Sequence, residues 1–187
     1  MRVIGGSLRG RDLGSVAAGV RPTSDRIRES LFSSLGDVTG LRVLDLFAGT
    51  GALGLEAFSR GAIEVVFVER AKRVARDLRG RLDRLGLGDE KAIRVLPLEA
   101  LRAIRRLSEA GACFDLVFLD PPYESDARET TLAALFASSV LSSDATVVVE
   151  GPKRHPVPPL PGVKRLAERH YGETVLTWLA RASSALE

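Results

Sequence analysis

From Leu41 onward the chain alternates two patterns. Short runs of consecutive apolar residues, "RVLDLF", "EVVFVE", "AIRVLPL", "FDLVFLD" and "ATVVVE", are separated by longer stretches with apolar residues every three or four positions. The runs have no polar face, so they predict strands covered on both sides. The stretches between them predict amphipathic helices: "ALGLEAFSRG", "RAKRVARDLRGRLDRLG" with Val74, Leu78, Leu82 and Leu85 on one face, "EALRAIRRLSEAG", and "ARETTLAALFASSVL". Alternation of this kind specifies an α/β fold with a mostly parallel sheet between two helical layers. Ahead of it, "RVIGGSLRGRDLGS" reads as a small hairpin of two short strands, and "VAAGVRP" as a loop. "TSDRIRESLFSSLG" reads as a helix capped by Thr23, Ser24 or Asp25, with Ile27, Leu31, Phe32 and Leu35 inward and Gly36 as its stop. After the fifth run, "GPKRHPVPPLPG" is a proline-rich loop, and "VKRLAERHYG" and "ETVLTWLA" form a closing pair of strands joined at Gly172. The reading divides the chain into an N-terminal extension, 1–36, and a single α/β domain, 37–187.

Composition narrows the classes of function. With 187 residues, 45% hydrophobic and 27% charged, the chain can bury a core without staples. Cys113 is the only cysteine, which excludes an internal disulfide and fits a reducing compartment. It precedes the fourth apolar run and reads as a small buried residue. No apolar run reaches the length of a membrane span, and "MRVIGGSLRGR" lacks the apolar core of a secretory signal, so a cytoplasmic protein is expected. The formal net charge is +3, and its placement is uneven: residues 1–28 hold six arginines against two aspartates. A basic arm on a nearly neutral domain points to a polyanionic partner.

In an open parallel sheet, ligands sit beyond the carboxyl ends of the strands, near the point where strand order reverses. The residues there are Asp45–Gly51, Glu69, Leu98–Glu99, Asp120–Tyr123 and Glu150. Gly49, Gly51 and Gly54 have the spacing G-x-G-x-x-G, which fits a dinucleotide or an adenosyl group equally well. Asp45 argues for the second, because a carboxylate in this turn repels a pyrophosphate and attracts an ammonium group. Glu69, ending the second run, can accept two ribose hydroxyls. The stretch "FLDPPYES" is more telling. Proline holds the preceding residue extended, so Asp120, Pro121 and Pro122 make a stiff ledge with a carboxylate and a carbonyl as acceptors, and Tyr123 adds a flat ring. That set suits a planar base with an exocyclic amine. His155 and His170 have no partner at metal-ligand spacing, so no metal is expected.

"LDLFAGTGALGLEAFSRGA" with "DPPY" resembles the S-adenosylmethionine-dependent class I methyltransferases that modify exocyclic amines. "RVIGGSLRGRDL", "RPTSDRIRESLF" and the late "YGETVL" resemble one group among them, the RsmD-type enzymes, which methylate N2 of a guanine in 16S ribosomal RNA. The resemblance covers nearly the whole chain. It implies a Rossmann-like class I fold: a seven-stranded, mostly parallel sheet whose last strand is antiparallel. It implies that Asp45, Phe47, Ala48, Gly49 and Gly51 line the methionine and ribose side of S-adenosylmethionine. Glu69 would hold the ribose hydroxyls and Glu99 would touch the adenine amine, with Arg70, Ala100 and Asp120 also at the cofactor. "PLEA" departs here from the family's commoner Asp-containing pattern. Asp120, Pro121, Pro122 and Tyr123 become the catalytic set, and Arg2, Arg9, Arg11, Arg21 and Arg26 the contacts to RNA. The expected partner is 16S ribosomal RNA, free or in an assembling small subunit, and the expected state is a monomer without membrane or metal. "DPPY" alone serves equally an N6-adenine methyltransferase acting on DNA or RNA.

Overall fold

The computed structural model describes residues 1–14, 24–122 and 127–182. The helix α1 (Asp25–Leu35) is followed by β1 (Arg42–Leu46), α2 (Ala52–Ser59), β2 (Glu64–Val68), α3 (Lys72–Arg84), β3 (Ile93–Leu96) and α4 (Ala100–Glu109). Then come β4 (Phe114–Leu119), α5 (Ala127–Ala137), β5 (Leu141–Pro152), β6 (Val163–Tyr171) and β7 (Thr174–Arg181). The seven strands form one sheet in the order β3-β2-β1-β4-β5-β7-β6. The first five are parallel, while β7 runs antiparallel to both β5 and β6. Strand order reverses between β1 and β4, which places the ligand crevice beyond their carboxyl ends.

Side chains alternate between two cores. Val43, Val65, Phe67, Leu116, Phe118, Val148 and Trp178 face α1, α2 and α3. Leu44, Leu46, Val66, Val68, Val117, Leu119, Val147 and Val149 face α4 and α5. Phe32 of α1 meets Phe118 edge-on, with ring centroids 5.9 Å apart. Leu35 lies near Asp115 and Leu116 at the start of β4. α1 therefore descends from the carboxyl rim toward the opposite end of the sheet, and its capped first turn lies over the rim. Ser24 is the cap: its Oγ accepts from the Ile27 amide.

Three expected elements differ. The helix expected to run to Leu141 stops at Ala137, because Ser138 turns its hydroxyl back to the Leu135 carbonyl and accepts from the Val140 amide. β5 begins earlier than "ATVVVE", with Leu141 paired to Phe114 ahead of a register shift. The two strands expected in residues 1–14 reduce to one antiparallel bridge, Arg2 to Asp12. Their amides are drawn away by α2. Glu56, 1% exposed, accepts from Ile4 N and Gly5 N, each at 2.8 Å. The Ser7 amide donates to the Ser59 carbonyl at 2.7 Å. Val3 and Leu13 join the same core as Leu31 and Phe32, so the first residues are built into the domain. Cys113 is half-buried rather than enclosed.

Candidate active site

The turn after β1 has an unusual backbone. Phe47, Gly49 and Gly51 take φ values of 65°, 52° and 74°. For Phe47 this is a costly conformation, and such strain is retained where the surroundings hold it in place. Gly51 caps α2 in the left-handed region, and a Cβ there would meet Leu78 Cδ1 at 2.5 Å. A Cβ on Gly54 would overlap the Phe67 ring, so this third glycine serves close packing of α2 on β2.

Carboxylates brace the turn from beneath. Asp45 Oδ2 accepts from the Gly54 amide at 3.0 Å, deep in the core. Burial pushes its pKa up to about 7, with Glu69 adding to the rise and the Gly54 hydrogen bond opposing it. Glu69 at the end of β2 accepts from Gly49 N at 3.1 Å and Ala71 N at 2.7 Å. It thereby ties the glycine turn to the start of α3. The Ala48 amide donates to the Val68 carbonyl at 2.9 Å, locking the turn onto β2.

Beside this turn lies a cavity of about 370 Å³, lined by Phe47, Val68, Arg70, Leu98, Glu99 and Pro122, with α4 and α5 completing the wall. Its volume suits a nucleoside-sized ligand. Glu99 is the N-cap residue of α4, but its side chain makes no capping hydrogen bond. It stands at the cavity. Ala100 and exposed Arg70 line the same space. Thr130 and Thr131 of α5 also line it and were not singled out by sequence pattern; they come from a helix on the α4 face that is distant in sequence, so no local motif marks them.

Asp120 follows β4 directly and is half-buried; Pro121 is buried and Pro122 exposed. The ledge is thus anchored at one proline and open at the other, next to the β1 turn. Tyr123 lies outside the described residues. Of the residues expected at the cofactor, Phe47, Arg70, Glu99 and Ala100 line the cavity, while Asp45, Ala48, Gly49, Gly51 and Glu69 belong to or brace the neighbouring turn and Asp120 stands at the end of β4. The arginines of the arm do not join them. Arg2, Arg9, Arg11 and Arg26 are exposed on the surface, and Arg21 lies outside the described residues. Among the described residues, no cluster of His, Cys, Asp or Glu is placed to hold a metal ion. Nor, among them, is any helix long and apolar enough to cross a membrane.

Two buried arginines fasten the arm, and one of them also reaches the site. Arg81 of α3 donates to the Thr50 carbonyl at 2.7 Å and to the Leu13 carbonyl. One guanidinium therefore holds both the glycine turn and the end of the N-terminal segment. Arg28 of α1, fully buried, donates to the Arg2 carbonyl at 2.6 Å and to Asp25 at 2.9 Å. Burial lowers the pKa of both, and the carboxylates of Asp25 and Glu56 oppose that for Arg28.

Comparison with other proteins agrees with this geometry. The family model described as "Conserved hypothetical protein 95" matches residues 1–180. "Putative rRNA methyltransferase YlbH" of Bacillus subtilis is 38% identical over 152 residues, 80% of this chain and 82% of that protein. "Ribosomal RNA small subunit methyltransferase D" of Escherichia coli K12 is 36% identical over 163 residues, 86% of this chain and 79% of that protein. The solved "Putative methyltransferase yhhF from Escherichia coli" superposes with a TM-score of 0.85 at 33% identity, covering 97% of each chain. Fold, crevice and these relatives agree: the chain belongs to the family of ribosomal RNA small subunit methyltransferase D, and its fold is that of the class I methyltransferases.

Proposed function

We propose that this protein transfers a methyl group from S-adenosylmethionine to the N2 amine of a guanine in small-subunit ribosomal RNA. The observation that carries the reading is the Asp120–Pro122 ledge at the end of β4, directly beside the strained glycine turn of β1 and its apolar cavity. The names of the Bacillus and Escherichia relatives support the substrate class.

The residues present fit the methyl donor. The apolar wall around Leu98 and Ala100 suits an adenine, Glu99 at the same cavity supplies an acceptor for its amine, and Glu69 at the end of β2 supplies acceptors for hydroxyls. Ionised Asp45 adds an attractive field for the ammonium of the methionine moiety. When bound, the donor supplies an electrophilic methyl carbon on a sulfonium.

The difficulty lies with the nucleophile, since the N2 lone pair is delocalised into the purine. Asp120 and the Pro121 carbonyl accept the two N2 hydrogens, which favours a pyramidal nitrogen with its lone pair aimed across the crevice. Tyr123 stacks on the extruded base. A bound donor would give its methyl to N2 and keep the C–S electron pair on sulfur. N2 then loses one proton, which Asp120 passes to water. Positioning and electrostatics supply most of the rate. Residues 1–36 hold RNA phosphates through Arg2, Arg9, Arg11, Arg21 and Arg26, and residues 37–187 carry the transfer.

Single-turnover methyl transfer by Asp120→Ala tests the site. The expected loss in rate is roughly 10²–10⁴-fold, with S-adenosylhomocysteine affinity changed by much less. Equal losses in both would reject the role given to Asp120.

A further inference from the structure

Glu150 has no part in the scheme above, yet it is a buried carboxylate at the same rim. It is 7% exposed and ends the apolar stretch of β5. β4 and β5 are paired in parallel, with Phe118 opposite Val148 and Leu119 opposite Val149. The next pair in register is Asp120 and Glu150. Because Asp120 precedes a proline, its backbone continues extended and the alternation of the strand carries on through it. Leu116, Phe118 and Val148 face the α1 side of the sheet, while Leu119 and Val149 face the other. Asp120 and Glu150 therefore both project to the α1 side, on neighbouring strands about 4.8 Å apart. Across β5, Glu150 pairs with Leu176, which belongs to the α1-side core, so both of its strand neighbours give the same facing.

We infer that Glu150 is the residue that selects guanine over adenine at this site. The inference rests on the guanine N2 reading above and adds the base-discriminating group to it. Guanine presents its N2 amine next to an N1–H donor on one edge. Two adjacent acceptors match that edge: Asp120 takes an N2 hydrogen and Glu150 takes N1–H. Adenine, with its N6 amine on Asp120, would turn the bare lone pair of N1 toward the Glu150 carboxylate. Acceptor then faces acceptor at a carboxylate that is itself buried, which is costly. A carboxylate has about four lone-pair sites, so Glu150 can keep an interaction within the protein and still accept from a base. The Asp-Pro-Pro-Tyr ledge recognises an amine on any base; its neighbour in the next strand reads the atom beside that amine.

The test uses a small-subunit RNA fragment methylated by the enzyme, with either guanine or 2-aminopurine at the target position. 2-Aminopurine keeps the 2-amino group but has a bare N1. The unaltered enzyme should favour guanine by ~10²-fold or more in kcat/KM, since a site built around a donor rejects an analogue lacking it. Glu150→Gln offers both a donor and an acceptor, so it should lower the guanine rate, raise the 2-aminopurine rate and narrow their ratio by at least about tenfold. S-adenosylhomocysteine binding reports that the variant is folded. Equal use of the two bases by the unaltered enzyme, which needs no variant, would overturn the inference. So would a Glu150→Gln protein that loses the same factor on both. Absence of N2-methylguanosine from the unaltered enzyme would instead reject the underlying reading.

Discussion

The crevice and the N-terminal segment are held by opposite means. The crevice is backbone in strained or tightly packed conformations around an apolar hollow, with few polar groups placed at its edges. The N-terminal segment contributes two apolar residues to the core and is otherwise fastened by buried polar side chains: Glu56, Ser59, Arg28 and Arg81. The first arrangement leaves room for a ligand. The second presents exposed arginines outward from a segment tied to the domain. Arg81 touches both regions, making the comparison testable.

The largest effect should come from the fastening of the arm. Glu56→Gln removes the charge that satisfies two backbone amides and Arg60, and should cost about 3 kcal/mol in denaturant unfolding. If stability is unchanged, the segment is not held as described. Removing the exposed charges instead, with Arg2, Arg9 and Arg11 all changed to Ser, leaves Val3 and Leu13 in the core. RNA affinity should fall about 100-fold and the slope of log affinity against log salt should flatten by about 2, with S-adenosylhomocysteine binding retained. Retained RNA affinity would make the arm purely structural. Truncating the segment would be a poorer test, since it uncovers buried Val3 and Leu13 positions.

Arg81→Met should loosen the glycine turn and weaken S-adenosylhomocysteine about tenfold by calorimetry, the loss of roughly one charged hydrogen bond. It should also speed amide exchange at Leu13 while leaving that of β4 alone. A loss of cofactor affinity without change at Leu13 would sever the two regions.

The smallest effect concerns pH. With its pKa at about 7, Asp45 is largely neutral at pH 6 and largely ionised at pH 8 in the free protein. If the charged form attracts the ammonium group, affinity should rise several-fold across that interval. The stability linkage has the reverse sense. A raised carboxyl pKa gives a contribution that is complete below the unfolded value near 4 and lost as pH rises through about 7. Asp45→Asn should flatten both profiles, and titration of thermal midpoint and affinity checks them together.

What was legible in the sequence follows the same divide. Much of the crevice lies at strand ends, so "LDLFAGTGALG" and "LDPP" point to its place, whereas Thr130 and Thr131 of α5 carry no such signal. The sheet was legible because each parallel strand is an apolar run. The fastening of the arm was not, because Glu56 and Ile4 are 52 positions apart and Arg81 and Leu13 are 68 apart. Those pairs exist only once α2 and α3 have packed on the sheet. Glu56 looks like an ordinary polar residue in a helical pattern, and its burial is a tertiary fact. Residues 1–14 carry hairpin-like turns, but side chains of α2 compete for the amides that a second strand would have used. The boundary of α5 was missed for a local reason, the back-bonding of Ser138.

The central claim is that this crevice places a guanine N2 amine before a methyl donor. Transfer from radiolabelled S-adenosylmethionine to separated cellular RNAs and DNA, followed by digestion to nucleosides, tests it most directly. Label is expected in small-subunit ribosomal RNA, recovered as N2-methylguanosine. Label recovered as N6-methyladenosine, or in DNA alone, would contradict it.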